Sequence, residues 1–287
     1  MLTGNESFNR CVMAVGAHAD DIEIAVGGTL EKYFRQGYEI VYVMSTNNMS
    51  GGVSELGPDG KRRRMPDEPN TAMMPRRQGE AGDATREWKT TPVHLNHPQR
   101  HYLDGNLEEV TLDYGAPRPA CAEDHRPSIL TAGEDPESLQ RLTDLILEKN
   151  PECVLTHPLA TYNPEHFGTN FLVTNAYWKA VEQGFRGGLL YWMENYTRCG
   201  STYLRWDTFV DYSPLLDRKM ELIGKHKCQM PTAHLPEFGH RGLSLEFGKA
   251  CGCLAAEAFI WSNRPSHTEG NHPLYGSLTL ELYQNAR

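Results

Sequence analysis

Two spacings of apolar residues alternate along this chain. Cys11-Val12-Met13-Ala14-Val15 is an unbroken apolar run, the pattern of a strand buried on both faces of a parallel sheet. From Ile22 the spacing changes to Ile22, Ala25, Val26, Thr29, Leu30, Tyr33 and Phe34, the i, i+3, i+4, i+7 stripe of a helix laid on a sheet. Strand-like runs recur at Glu39–Met44 and Glu152–Leu155. Helical patterns cover Arg76–Trp88, Asp135–Lys149, His166–Val181, Pro214–Lys227 and Leu243–Ala258. In the last of these, Leu243, Phe247, Ala250, Cys251, Leu254, Ala255 and Ala258 share one face. Alternation of this kind predicts an α/β fold, a mostly parallel sheet with helices on both faces.

The junction between the first strand and the first helix carries His18-Ala19-Asp20-Asp21. Adjacent acids repel each other, so a fold that keeps them together holds a cation or shares a proton between them. The carboxyl end of a strand in an open α/β sheet is also where ligands bind. A divalent metal, zinc first, and metal-assisted hydrolysis fit these residues; a plain helix N-cap at Asp21 is the simpler alternative. Gly27-Gly28, inside the helix, predicts close backbone packing, because no G-x-x-x-x-G-K-[ST] phosphate loop is present. Asn48 follows the second strand and is expected on the same rim, with an amide suited to hydroxyl-rich ligands. His94, His97 and His101 form a second histidine cluster, read either as a second metal site or as pocket walls in which His97 and His101 bond substrate. His157, at the end of the Glu152–Leu155 run, is either structural or a further oxyanion donor.

Ala17-His18-Ala19-Asp20-Asp21-Ile22-Glu23 with Gly27-Gly28-Thr29 resembles the signature of the LmbE/PIG-L family of metal-dependent N-deacetylases, Ala19 replacing that family's proline. The resemblance implies a Rossmann-like fold, one Zn2+ held by His18 and Asp21, and Asp20 as general base. Asn163-Pro164-Glu165-His166 resembles the family's His-Pro-Asp-His segment, which makes His166 the third ligand and puts Asn163 where the family carries an oxyanion-stabilising histidine. An amide there can donate a hydrogen bond but cannot act as an acid. Collinear weaker matches are Arg77-x-x-Glu80-Ala81, Leu103-Asp104-Gly105, His226-x-x-Gln229 and Ala256-Glu257-Ala258-Phe259. They bring Arg77 and His226 into the expected substrate site, although His226 would equally cap a helix C-terminus. Two imidazoles and one carboxylate leave a fourth position for water, the open arrangement of catalytic zinc. Another divalent transition metal would suit the same donors.

Composition narrows the function further. Net charge is −9, with 28 basic and 37 acidic residues, which argues against nucleic acid and anionic membrane surfaces as partners. The basic run Lys61-Arg62-Arg63-Arg64 is the exception, either a solvated loop or an anion contact. The 287 residues are read as one domain, with a long loop over about 51–75 and an unassigned tail after Trp261. Met1–Glu6 shows no basic-then-apolar pattern, so the seven cysteines are expected as free thiols in the cytoplasm. Cys251-Gly252-Cys253 lacks a second pair and reads as core packing. The expected substrate is a small N-acetylated amino sugar or glycoconjugate, and the resemblance allows a homo-oligomer. Two rivals stay open: an amidase acting on a thiol or antibiotic conjugate, and a non-catalytic sugar-binding protein.

Overall fold

The computed structural model describes residues 10–49, 54–56, 62–64, 70–99, 101–103, 109–111, 127–159, 161, 163–194, 207–230 and 236–262, with the backbone path alone at 54–56, 62–64, 70–72, 101–103, 109–111 and 236–238. In chain order the elements are β1 (Cys11–Gly16), α1 (Asp21–Arg35), β2 (Glu39–Thr46), β3 (Ser54–Leu56), β4 (Arg62–Arg64), α2 (Asn70–Thr85), β5 (Val93–His97), β6 (His101–Leu103) and β7 (Glu109–Thr111). They continue as α3 (Pro136–Lys149), β8 (Cys153–Thr156), α4 (Pro164–Glu182), β9 (Gly188–Trp192), β10 (Thr208–Asp211), α5 (Leu216–Ile223), α6 (Gly242–Cys251) and β11 (Ala256–Trp261). Seven strands form one sheet in the order β10-β11-β9-β8-β1-β2-β5. The five from β9 to β5 run parallel, and β11 and β10 add an antiparallel edge.

Strand β1 is buried along its whole length because it feeds two cores at once. Val12 and Ala14 pack with Ile22, Val26 and Leu30 of α1 on one face. Cys11, Met13 and Val15 pack with Leu142 and Ile146 of α3 and Leu172 and Val173 of α4 on the other. The chain leaves β1 toward β2 on one side and returns through β8 on the other, so the crevice between the ends of β1 and β8 is the switch point of the sheet.

Three expectations need correction. The helix predicted over Leu243–Ala258 stops at Cys251, where Gly252 takes φ +82 and caps it, and Ala256–Ala258 belong to strand β11. The apolar spacing continues past Gly252, but a residue in the left-handed conformation turns the chain out of the helix there. The loop over about 51–75 contains the pair β3–β4, and its last residues already lie in α2, which starts at Asn70 and carries Pro75 inside. The Pro214–Lys227 helix is shorter: a 3-10 turn over Ser213–Leu215 leads into α5, which ends at Ile223. Strands β9 and β10 were not anticipated. The tail after Trp261, apart from Ser262, lies outside the described residues. Cys11, Cys153, Cys228, Cys251 and Cys253 are free, and no described helix is long and apolar enough to cross a membrane.

Candidate active site

The turn from β1 into α1 is held from every side. Asp20 sits at φ 115, a conformation rare for residues other than glycine, and immediately precedes the first helical residue, Asp21. Five bonds impose that shape. Asp21 Oδ2 accepts from the His18 amide at 2.7 Å, and Asn48 Oδ1 accepts from the Ala19 amide at 2.7 Å. Arg77 Nη2 donates to Ala19 O at 2.8 Å, His157 Nε2 accepts from the Ala17 amide at 2.8 Å, and Thr46 Oγ1 donates to Ala17 O at 2.7 Å. A backbone outlier persists only where its surroundings over-determine it in this way, and such outliers concentrate at functional sites. The cap reading of Asp21 fails: Asp20 occupies the cap position without a capping bond, and the Asp21 carboxylate turns back toward His18.

Donor atoms of three side chains converge above this turn. His166 Nε2 lies 3.2 Å from His18 Nδ1, and Asp21 meets His166 Nε2 with Oδ1 at 3.5 Å and His18 Nδ1 with Oδ2 at 3.2 Å. Donor atoms on a zinc ion with bonds of ~2.1 Å stand roughly 3.4 Å apart, and the two ring nitrogens with a carboxylate oxygen make a candidate metal-binding group. The nitrogens pointing the other way meet carboxylates: His18 Nε2 reaches Glu165 Oε2 at 2.5 Å, and His166 Nδ1 reaches Glu194 Oε1 at 3.0 Å. Carboxylates behind both rings are the usual support of metal-binding imidazoles. Burial alone would raise the Asp21 carboxyl, but His166 and His18 hold it well below its usual range. Burial also works against a charged His18, yet Asp21 and Glu165 push its pKa up to about 10. Beside them Asp20 is raised by burial, against the pull of Arg77, whose Nη2 lies 3.2 Å from Asp20 Oδ1.

The other expected site residues fall behind this surface. Asn48 is fully buried, with its oxygen on Ala19 and its amide on Thr46 O, so it braces the turn instead of facing a ligand. Arg77 is buried against Asp20 and positions it. His157 is 1% exposed, with Nδ1 on Glu194 and Nε2 on the Ala17 amide, which leaves no nitrogen for an oxyanion. His226 lies past the end of α5, fully buried, with Nε2 3.1 Å from Glu23 Oε2 but out of line for a hydrogen bond. His97 is buried, with Nδ1 3.1 Å from Pro127 O, and the His101 side chain lies outside the described residues. Asn163 caps α4: its Oδ1 accepts from the Glu165 amide at 2.9 Å, which turns its NH2 group into the only donor it has to offer.

Three residues escaped the sequence reading. Glu165 accepts from Gln99 Nε2 at 3.0 Å as well as meeting His18; its place beside His166 in Asn-Pro-Glu-His was the signal. Gln99 lies within the histidine cluster, between His97 and His101, with no mark of its own. Glu194 follows the unanticipated strand β9, and nothing local distinguishes it. Among the described residues, His157, His166 and Glu194 form a second group whose donor atoms lie within 4.8 Å of one another.

Comparison with known proteins gives this geometry a context. The family described as GlcNAc-PI de-N-acetylase, PIG-L, matches residues 13–177. The 1D-myo-inositol 2-acetamido-2-deoxy-alpha-D-glucopyranoside deacetylase of Kineococcus radiotolerans is 28% identical over 185 residues, 62% of this chain and 47% of that protein, so the chain spans about half the length of this relative. Two solved structures are similar in fold. GalB, the 4-carboxy-2-hydroxymuconate hydratase from Pseudomonas putida KT2440, has a TM-score of 0.64 at 20% identity, covering 91% of this chain and 99% of its own. The N,N'-diacetylchitobiose deacetylase from Pyrococcus horikoshii has a TM-score of 0.62 at 18% identity, covering 88% of this chain and 83% of its own.

Proposed function

We propose that this chain, which belongs to the PIG-L family of de-N-acetylases, removes an acetyl group from the amide nitrogen of an amino sugar or glycoconjugate at a zinc centre formed by His18, Asp21 and His166. The observation that carries this reading is the convergence of His18 Nδ1, Asp21 and His166 Nε2 on one another beside a second, separately held acid, Asp20. A bound zinc ion supplies a Lewis acid for the acyl carbonyl and a water of lowered pKa. The protein's own residues then manage the protons. The Asp20 carboxylate accepts a proton from the attacking water and delivers it to the amide nitrogen as the C–N bond breaks, so that acetate and a free amine leave. Arg77 holds Asp20 in place, and its charge opposes the rise that burial gives the carboxyl. The Asn163 NH2 group donates to the developing oxyanion without a proton to lose. We read the whole chain as one catalytic domain, acting in the cytoplasm.

Acetate release from a panel of N-acetylated sugars after zinc loading tests the proposal, with Asp20→Asn beside the wild type. The variant should keep its zinc and lose about 10²–10⁴-fold in rate, the usual worth of a positioned proton relay. Release unchanged in Asp20→Asn overturns the assignment of the base. No release from any sugar, with one zinc bound per chain, overturns the substrate. It would favour another amide, such as a thiol or antibiotic conjugate, or a non-catalytic sugar-binding protein.

A further inference from the structure

His166 directs its two nitrogens at different partners. Nε2 faces His18 and Asp21, and Nδ1 faces Glu194 Oε1 at 3.0 Å. His157 Nδ1 contacts the same oxygen, and Thr161 Oγ1 donates to Oε2 at 2.9 Å. Glu194 is buried. His157 Nε2 accepts the Ala17 amide proton at 2.8 Å and so bears a lone pair, which puts that ring's proton on Nδ1, facing Glu194 Oε1. His166 presents its own Nδ1 to the same oxygen and turns Nε2 toward His18 and Asp21.

We propose that Glu194 is a positioning residue of the metal centre, in that one carboxylate oxygen fixes the Nδ1–H tautomer of both His157 and His166 and so aims the His166 Nε2 lone pair at the ion. The inference rests on the reading of His166 as a ligand. Glu194 acts through that ring and touches neither metal nor substrate. Its negative charge also makes the ring a stronger donor, as carboxylates behind metal-bound imidazoles do. The same carboxylate ties together the end of β9, the segment after β8 and the first turn of α4, three pieces that must keep register for His166 to reach His18. The rival is a second ion held directly by His157, His166 and Glu194.

The experiment is zinc affinity by chelator competition on the full chain, for wild type, Glu194→Gln and His166→Ala, with bound zinc counted and two-bond 1H–15N spectra of the imidazoles recorded without metal. The wild type should bind one zinc and show His166 protonated on Nδ1. Glu194→Gln, with wild-type circular dichroism, should still bind one zinc but about 10–100-fold more weakly, the usual effect of losing such a partner. Its His166 should populate both tautomers. Affinity within twofold of wild type and an unchanged spectrum overturn the proposal. So does His166 protonated on Nε2 in the wild type, a result that needs no variant to fold. Two zinc ions in wild type and one in Glu194→Gln make Glu194 a ligand and overturn it as well. Full zinc binding by His166→Ala instead removes the ligand reading underneath, which separates the two failures.

Discussion

Two of the places where helix α1 meets buried charge are built differently. At its middle, Glu257 of β11 lies against the helix: Oε1 accepts the Gly28 amide at 2.9 Å and Lys219 Nζ at 2.6 Å, and Oε2 accepts the Thr29 amide at 2.7 Å. Acid, ammonium and amides satisfy one another, and the Lys219 charge also rests 5.2 Å over the Tyr212 ring. At its amino end, the carboxylates of Asp20, Asp21, Glu165 and Glu194 surround the single guanidinium of Arg77 and the rings of His18, His157 and His166. That group balances only if its imidazoles hold protons or a cation sits among them. Burial of charge is common to both regions. Carboxylates that outnumber the guanidinium among them mark the amino end as the place for a ligand.

The sharpest break of this contrast removes a convergent donor. His18→Ala, Asp21→Ala or His166→Ala should take bound zinc from one per chain toward none and turnover to background, with circular dichroism unchanged, as read by metal analysis and acetate assay. A variant that stayed fully loaded would show that the lone pairs do not converge on a metal. In the closed knot the effect should fall on stability instead. Lys219→Met leaves the Glu257 carboxylate buried beside apolar neighbours, and breaking such a pair costs about 3–5 kcal/mol. Denaturant melts should show that loss while the folded fraction keeps its zinc and its rate.

The same contrast explains what could be read from the chain beforehand. His18, Asp20 and Asp21 are consecutive or nearly so, and the apolar run before them and the helical stripe after them locate the turn at a strand end. His166 stood out through Asn-Pro-Glu-His. Asn48, Arg77, His157 and His226 were expected to face a ligand and are buried in the protein, because spacing along a chain says which element carries a residue and not whether its side chain faces the crevice or the protein behind it. Glu194 and Gln99 serve the site across long sequence separations from segments that follow β9 and β5, and nothing in their neighbourhoods points to them. Gly28 is the opposite case: close packing was legible from Gly27-Gly28, and a Cβ there would stand 2.4 Å from the Tyr212 ring.

A smaller perturbation joins both behaviours. Arg77 is buried like Lys219 but touches the open site, donating to Ala19 O and Asp20 Oδ1. Arg77→Leu removes charged hydrogen bonds worth about 1.5–3 kcal/mol each and should lower stability by that order. It also withdraws a positive charge that holds Asp20 down, so the Asp20 pKa rises further. Activity that requires ionised Asp20 then needs a higher pH, and the acid limb of the kcat/KM profile should move upward. A stability loss with an unmoved acid limb would make Arg77 a structural residue of the knot's kind.

The smallest effect belongs to charge left near water. Glu87 accepts from Arg218 Nη2 at 2.7 Å and Lys225 Nζ at 2.9 Å, and these partners, Arg218 foremost, hold its carboxyl down to about 2 from 4.5. A carboxyl whose pKa is lower in the folded chain stabilises it above its unfolded value and loses that contribution as pH falls toward the folded one. Here the window is 4.5 down to about 2. With about a third of its side chain exposed, Glu87 is worth no more than the ~1 kcal/mol typical of surface pairs. Glu87→Gln should therefore lower the Tm slightly at pH 7, and the gap from wild type should close as pH falls through that window. Added salt should shrink the gap as well, because ions screen exposed pairs far more than buried ones. The Lys219→Met deficit should persist in the same salt, since Lys219 and Glu257 are each at most 4% exposed. If salt erased that deficit too, the knot would be a surface pair in disguise, and the distinction between the two regions of α1 would collapse.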